Sequence, residues 1–483
     1  MKLYFLVFLS FLFTSSLVAQ FSFHGSEFPW KKEKKIDKRH YVGSSNEYAY
    51  LMEAKNNSGS QLVNKDKQPV YIPKYRLVSY KLKDFSVGKY WDLPRKIDKK
   101  ILRYFTAKET DKKIWIFNRS LFRKGKRERL YAYSLDKTSG TLSEPRQLIE
   151  KDYYSNFRIV QSPDKSKISI FYELEGNRHK VVAAVFDKDL KKIYSKTLDL
   201  PVPPKKSRVD YQLDDDANII IRIYDKIYVF SKEGREKNDY RIPLKSKGLA
   251  TTRGHIQPVE NGLLVVYPYH GKKELLTGLY VGKIDYSSET IENHTYPFPA
   301  KWKIGEKGFP LLRNLALLKA SYVNNKLTLF WQETTSETLM KANYWEVIYS
   351  YKEIVGAQFD SGGELKWQNI IRKNINKAGL FGSAIVAHKN DTYHVLFNDK
   401  KENTAHRNKN QPIERVKKLN FSEKKYNLLD VAISPDGKLR ETVVRLNPFA
   451  LLSKGIWGEL SNGDFLLQIK SKKTMYMGYA KFK

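Results

Sequence analysis

The chain has 483 residues, no cysteine, and a formal net charge of +35 from 87 lysines and arginines against 52 aspartates and glutamates. Without cysteine there is no disulfide, no thiolate metal ligand and no cysteine nucleophile. The fold therefore rests on an ordinary hydrophobic core, which a chain of this length is able to bury. The charge makes anionic glycans, anionic lipid head groups and nucleic acid physically reasonable partners, although lysines spread evenly along a chain also serve as a plain solvated surface.

Residues 1–20 read as a secretory signal: Lys2, an apolar run over 3–13, and the small-residue stretch Ser15-Ser16-Leu17-Val18-Ala19-Gln20. The run is shorter than the ~20 apolar residues a bilayer span requires. An exported protein, periplasmic or extracellular, is expected. Charges interrupt every later hydrophobic run, so no transmembrane helix is expected. Residues 21–74 read as an extended basic leader: they hold the cluster Lys31-Lys32-Glu33-Lys34-Lys35 and a single strand signal over 48–53.

From residue 75 a two-part phrase recurs, an apolar strand ending in a polar residue, followed by an apolar strand closed by an Asp or Gly turn. It reads Lys113-Ile-Trp-Ile-Phe-Asn118 then Tyr131-Ala-Tyr-Ser-Leu-Asp136, and Lys167-Ile-Ser-Ile-Phe171 then Val185-Phe-Asp187. It returns as Lys326-Leu-Thr-Leu-Phe330 then Ile354 to Asp360, and Thr392-Tyr-His-Val-Leu-Phe397 then Val431 to Gly437. β-branched and aromatic runs bounded by Asp, Gly and Asn specify strands and hairpins. Turn chemistry marks 214–218, 231–234, 360–363 and 434–437, and the best short helical candidate covers 314–320.

Units at 75–94, 104–150, 157–201, 210–244, 254–298, 312–373, 382–446 and 449–482 match the spacing of propeller blades. The expectation is an all-β β-propeller domain over 75–483. It has seven blades if the incomplete first and last units combine, closed by the N- and C-terminal strands. Eight blades result if 449–482 forms its own sheet, and a pair of stacked β-sandwiches is the architectural alternative.

The phrases Ser162-Pro163-Asp164-Lys165-Ser166-Lys167 and Ser434-Pro435-Asp436-Gly437-Lys438 resemble the Ser-Pro-Asp-Gly-Lys turn of bacterial periplasmic TolB-like propellers. The first departs from that pattern with Lys165 where glycine is usual. More broadly the chain is similar to secreted bacterial β-propellers of uncharacterised activity. The resemblance implies a propeller and periplasmic protein binding.

Aligned unit by unit, Asn118 and Arg119, Tyr172 and Glu173, Tyr267, Trp331 and Gln332, and Asn398 and Asp399 occupy the same strand end. Equivalent strand ends gather on one propeller face, where aromatic rings flanked by amides and carboxylates suit a sugar or a peptide. Polar residues also end strands simply because the chain leaves the core there. A glycoside hydrolase would need a carboxylate pair, for which Glu173 and Asp399 are the candidates. His388 and His394, six positions apart across a turn, match no standard metal spacing, and no phosphate loop, zinc helix or nucleophile elbow is present. Basic and aromatic residues interleave at 70–76 and 122–127, where a solvated loop is the default and polyanion contact the alternative.

These readings converge on an exported, non-enzymatic binding or scaffold protein. It engages an envelope protein or an anionic glycan through one propeller face, with peripheral contact to an anionic membrane surface. No cofactor and no metal are expected, and nucleic acid is disfavoured by export. A glycan-cleaving propeller is the alternative.

Overall fold

The computed structural model describes residues 21–28, 36–55, 61–63, 69–71, 74–97, 100–121, 127–152, 157–174, 177–200, 209–232, 236–243, 254–270, 275–299, 302, 312, 314–341, 344–376, 382–408, 425–444, 451–470 and 475–482. The signal reading (1–20), the basic cluster at 31–35 and the loop at 122–126 lie outside them.

The described residues form a β-propeller of eight blades, each an antiparallel sheet; in blades 1 to 7 the four main strands follow chain order, and in blade 8 three strands do, with an N-terminal strand added outside them. Blade 1 is Ile36–Ser44, Tyr48–Lys55, Lys74–Lys81 and Val87–Asp92. Blade 2 is Lys100–Glu109, Lys113–Leu121, Arg127–Asp136 and Arg146–Asp152, with Lys96–Ile97 beside its first strand. Blade 3 is Arg158–Gln161, Lys167–Leu174, Asn177–Asp187 and Lys192–Asp199, and blade 4 is Val209–Leu213, Ile219–Ile223, Lys226–Phe230 and Glu236–Arg241. Blade 5 is His255–Val259, Gly262–His270, Leu276–Asp285 and Ile291–Pro297. Blade 6 is Leu315–Val323, Lys326–Lys341, Tyr344–Asp360 and Leu365–Ile371, with Ile375–Asn376 paired to its long third strand. Blade 7 is Ile385–Lys389, Thr392–Lys400, Tyr426–Ile433 and Leu439–Val444. Blade 8 is Leu451–Glu459, Phe465–Lys470 and Met475–Phe482, and Phe21–Phe28 pairs along its third strand from Phe21↔Phe482 to Phe28↔Met475. One helix is described, α1 (Lys401–Asn408), between the second and third strands of blade 7.

First strands pack on one another between blades 1 and 2, 3 and 4, 4 and 5, 6 and 7, and 8 and 1, so the first strands lie on the inner side of the ring. Every interface between neighbouring blades holds its own apolar cluster. Between blades 5 and 6, Leu264 and Val266 meet Leu329 and Trp331; between blades 8 and 1, Leu466 and Met477 meet Leu51 and Val78. Inner strands are thus covered on both faces, and the polar residues within them, Ser169, Arg222, Thr328 and His394, are buried with their apolar neighbours. Ile219–Ile223 is buried at every position, while the outermost strand Lys192–Asp199 is mostly exposed.

Asp residues close the turns between third and fourth strands. The Asp136 carboxylate accepts from the Thr138 and Ser139 N–H groups, Asp187 from Asp189 and Lys191, Asp285 from Ser287 and Ser288, and Asp360 from Gly362 and Glu364. A short carboxylate that caps its own turn is what makes this position readable in the sequence.

The two Ser-Pro-Asp turns share one geometry. The Ser162 carbonyl accepts from Lys165 N–H at 2.9 Å and the Ser434 carbonyl from Gly437 N–H at 2.8 Å. The acceptor's partner is left-handed in both, at φ 59° for Lys165 and 80° for Gly437. They are not equivalent in the repeat: 162–166 joins the first strand of blade 3 to its second, and 434–438 joins the third strand of blade 7 to its fourth.

Three expectations are corrected. The blades number eight, not seven, because the incomplete end units do not merge: 449–482 supplies three strands of blade 8, and 75–94 supplies two strands of blade 1. The other two strands of blade 1, Ile36–Ser44 and Tyr48–Lys55, come from the stretch read as an extended leader. Of residues 314–320, all but Asn314 fall within the strand Leu315–Val323, whose backbone pairs with Lys326–Lys341; neighbouring hydrogen bonds overrode a weak local helical pattern.

Candidate functional site

The aligned residues lie on the second strands of blades 2, 3, 5, 6 and 7, toward the end away from the first strand in blades 2, 3, 5 and 7, and mid-strand at Trp331 and Gln332 of Lys326–Lys341. There most of them join neighbouring blades. The Asn398 side chain is fully buried; it accepts from Leu452 N–H at 2.8 Å and donates to Leu452 C=O at 2.9 Å, linking blade 7 to blade 8. Gln332 does the same between blades 6 and 7, its oxygen accepting from Ala384 N–H and Ser383 Oγ at 3.3 Å. Tyr267 of blade 5 is buried and accepts from Arg222 of blade 4, which also pairs with Asp210. Trp331 is fully buried in the core between blades 5 and 6, and Asn118 is buried in blade 2.

Arg119, Tyr172 and Glu173 are half-buried. Arg119 lies 3.8 Å from Glu128, which also holds the buried Lys151 at 3.1 Å; Tyr172 packs edge-on to Phe157. Glu173 and Asp399 belong to blades 3 and 7, on opposite sides of an eight-bladed ring. Asp399 is fully buried and accepts from Lys400 N–H, from Asn403 and from Arg407 of α1, while Arg407 also pairs with Glu441.

His388 and His394 do not converge. His388 faces Tyr393 across the hairpin and stacks on it at 4.4 Å, so His394, one position further, points to the other side of the sheet. There it meets Asp430 at 2.9 Å and stacks on Phe482. Among the described residues no group of three or more metal-ligating side chains comes together.

A cleft lies on the opposite face of the ring, among turns that join first strands to second strands and the third-to-fourth turn of blade 2. Its volume is 940 Å³, and blades 8, 1, 2 and 3 supply its walls. Interblade bonds set its shape. The Tyr41 hydroxyl donates to the Glu459 carbonyl at 2.6 Å, and the Ser44 and Ser461 hydroxyls meet at 2.9 Å, tying blade 1 to blade 8. Ser44 N–H donates to Glu109 at 2.9 Å, tying blade 1 to blade 2, and Lys137 pairs with the same carboxylate at 2.9 Å. Lys319 of blade 6 pairs with Glu459 at 3.2 Å. Burial pushes the Tyr41 hydroxyl pKa upward, and the Glu109 and Glu459 carboxylates add to that shift, so Tyr41 acts as a neutral donor.

The lining holds four carboxylates, Glu47, Glu109, Asp111 and Glu459, against two ammonium groups, Lys137 and Lys165. Glu47, Asp111 and Lys165 are exposed and make no side-chain bond to other described residues. The eight first-to-second turns together carry nine carboxylates and two lysines in a chain of net charge +35. The strand-end reasoning missed this cleft because its groups sit in turns of differing length that do not align. The available signal was the excess of Asp and Glu in those turns.

No family model matches the sequence, and no curated protein matches it. Among solved structures, the chain is similar to the WD40 domain of SCAP from fission yeast at 12% identity over 95% of this chain and 98% of that one, with a TM-score of 0.41. It is similar to the β-propeller domain of the Trilobed protease from Pyrococcus furiosus at 11% identity over 85% and 98%, TM-score 0.32. The polysaccharide lyase Uly1 matches at 9% identity over 78% and 89%, TM-score 0.35. The propeller assignment rests on the eight sheets themselves, and these likenesses do not extend the TolB-like resemblance of the Ser-Pro-Asp turns. No helix among the described residues is long and apolar enough to cross a membrane.

Proposed function

We propose that this propeller is an exported, non-enzymatic binding or scaffold protein that takes part of an envelope protein into the cleft on this face of the ring. The supporting observation is a cavity of 940 Å³ whose walls come from four blades and are held by hydrogen bonds between them. That volume is in the range of sites that enclose a ligand or a few residues of chain, and bonds formed before binding reduce the ordering cost of association. The pairing of Phe21–Phe28 with Met475–Phe482 is read as the closure of the ring by the two ends of the chain. The net charge supports a second contact, to an anionic glycan or anionic lipid head groups, made away from the cleft. A hydrolase using Glu173 and Asp399 is less well supported, because Asp399 is buried against Arg407.

A photo-crosslinking residue at Lys165 tests the face, with Lys401, on the side of the second-to-third connections, as comparison. Adducts with the same envelope protein from position 165 and not from 401 are expected. Adducts from 401 alone would overturn the assignment of this face.

A further inference from the structure

We infer that the cleft binds a cationic chain, a peptide segment bearing lysine or arginine. The inference rests on the reading of the cleft as the partner site and names the chemistry of what enters it. It runs against the sign of the whole molecule, because a chain of net charge +35 is expected to collect anions.

The lining decides the matter locally. Glu109 and Glu459 are each matched by a lysine, at 2.9 and 3.2 Å. Glu47 and Asp111 stand exposed on the rim with no described partner, and Lys165 is the corresponding cation. An entering ammonium or guanidinium group therefore meets two unmatched carboxylates, whereas an entering anion meets one unmatched lysine beside them. Exposed charges separated by more than about 8 Å are largely screened at physiological salt, so lysines elsewhere on the ring weigh little inside the cavity. Low-dielectric walls focus the field of the groups that line it.

Shape agrees with charge. A cavity of 940 Å³ is far larger than an inorganic cation needs, and among the described residues no three metal ligands come together. An extended segment would fill it, with its peptide groups facing the hydroxyls of Ser45 and Ser461. The ring of Tyr48, half-buried in the wall, offers a face to an ammonium or guanidinium group.

The test titrates the full chain with a fluorescently labelled pentalysine peptide, with pentaglutamate, spermidine and a sulfated oligosaccharide in parallel. Pentalysine should bind, the double variant Glu47→Gln, Asp111→Asn should weaken it at least tenfold, and Lys165→Glu should tighten it several-fold. These three positions are exposed, so the variants should fold as the parent does. Pentalysine binding that ignores all three substitutions would overturn the inference, as would no binding, and so would spermidine binding in the absence of peptide binding. Loss of pentalysine binding together with a persistent cross-link from position 165 would discard the ligand chemistry and leave the site standing. Loss of both would discard the site as well.

Discussion

Asn398 and Leu452 clasp two blades through a two-point contact: one side-chain amide satisfies both the N–H and the C=O of a single buried backbone residue, at 2.8 and 2.9 Å. The amide is the side chain that fits, since it offers a donor and an acceptor on one planar group. Removing it leaves two buried backbone groups without partners, each costing ~1–3 kcal/mol. Asn398→Ala should lower unfolding stability by about 2–4 kcal/mol in a denaturant titration, and Asn398→Asp should also destabilise, because the carbonyl of Leu452 loses its donor. A change under about 0.5 kcal/mol would show that the contact does not hold blades 7 and 8 together.

Glu53 in blade 1 is a second organising group. Its fully buried carboxylate accepts from Arg39 and Arg76 at 2.7 Å and from the Tyr80 hydroxyl at 2.9 Å. Burial raises its pKa, but the hydrogen bonds and charges of Arg39 and Arg76 outweigh burial and hold it below the ordinary 4.5. A depressed carboxylate stabilises the fold above its unfolded pKa, and that stability is lost as pH falls through the lower folded value. Acid unfolding should therefore steepen below pH 4.5. Glu53→Gln should remove that component and cost about 3–5 kcal/mol at neutral pH, since both guanidinium groups lose their buried partner.

Glu353 behaves in the opposite sense. It and Glu333 sit buried at an irregularity between the second and third strands of blade 6, between the pairs Gln332↔Ile354 and Thr334↔Tyr351. Desolvation and, after it, the neighbouring Glu333 carboxyl push the Glu353 pKa well above the ordinary 4.5. A raised acid contributes stability that is present below its unfolded pKa and is lost as pH rises through the folded one. Between those two pKa values stability should fall by up to about 1.4 kcal/mol per pH unit, and the fall ends above the folded one. Glu353→Gln should flatten the alkaline limb of the pH–stability profile, and an unchanged limb would assign the decline to other groups.

Lys165 and Gly437 occupy the same left-handed position of their turns. A non-glycine residue there is strained by ~1 kcal/mol, so Lys165→Gly should stabilise by roughly 0.5–1 kcal/mol. Gly437→Ala should cost more than that strain alone, because an added Cβ would lie 2.6 Å from the Trp367 side chain. Thermal melts of the two single variants check both signs.

Much of the ring was legible without coordinates. Six of the repeat units coincide with blades 2 to 7, because their strands pair with immediate neighbours in sequence and the third strands of blades 2, 3, 5 and 6 each end on an Asp that caps its own turn. Blade 1 was not legible: its second strand pairs with Lys74–Lys81 across an 18-residue connection, and the polar run between them masks the repeat. Blade 8 lies beside the first strand of blade 1, some 400 residues away, and no local pattern records that contact.

The site divides along the same line. Alignment grouped Tyr267, Trp331, Gln332 and Asn398 by their distance along the second strands, since strand register is a local property. Whether such residues face solvent or the next blade depends on the angle between sheets, which only the packed ring sets, and there these four are buried between blades. The acidic cleft likewise required tertiary structure: Glu47 and Asp111 sit in turns and Glu459 at a strand end, far apart in the chain, and they line one cleft because blades 8, 1 and 2 are neighbours in the ring. Composition and turn chemistry determined that this chain is a β-propeller with a strong positive charge; closure of the ring decided its blade number, its interblade clasps and the cleft of opposite sign.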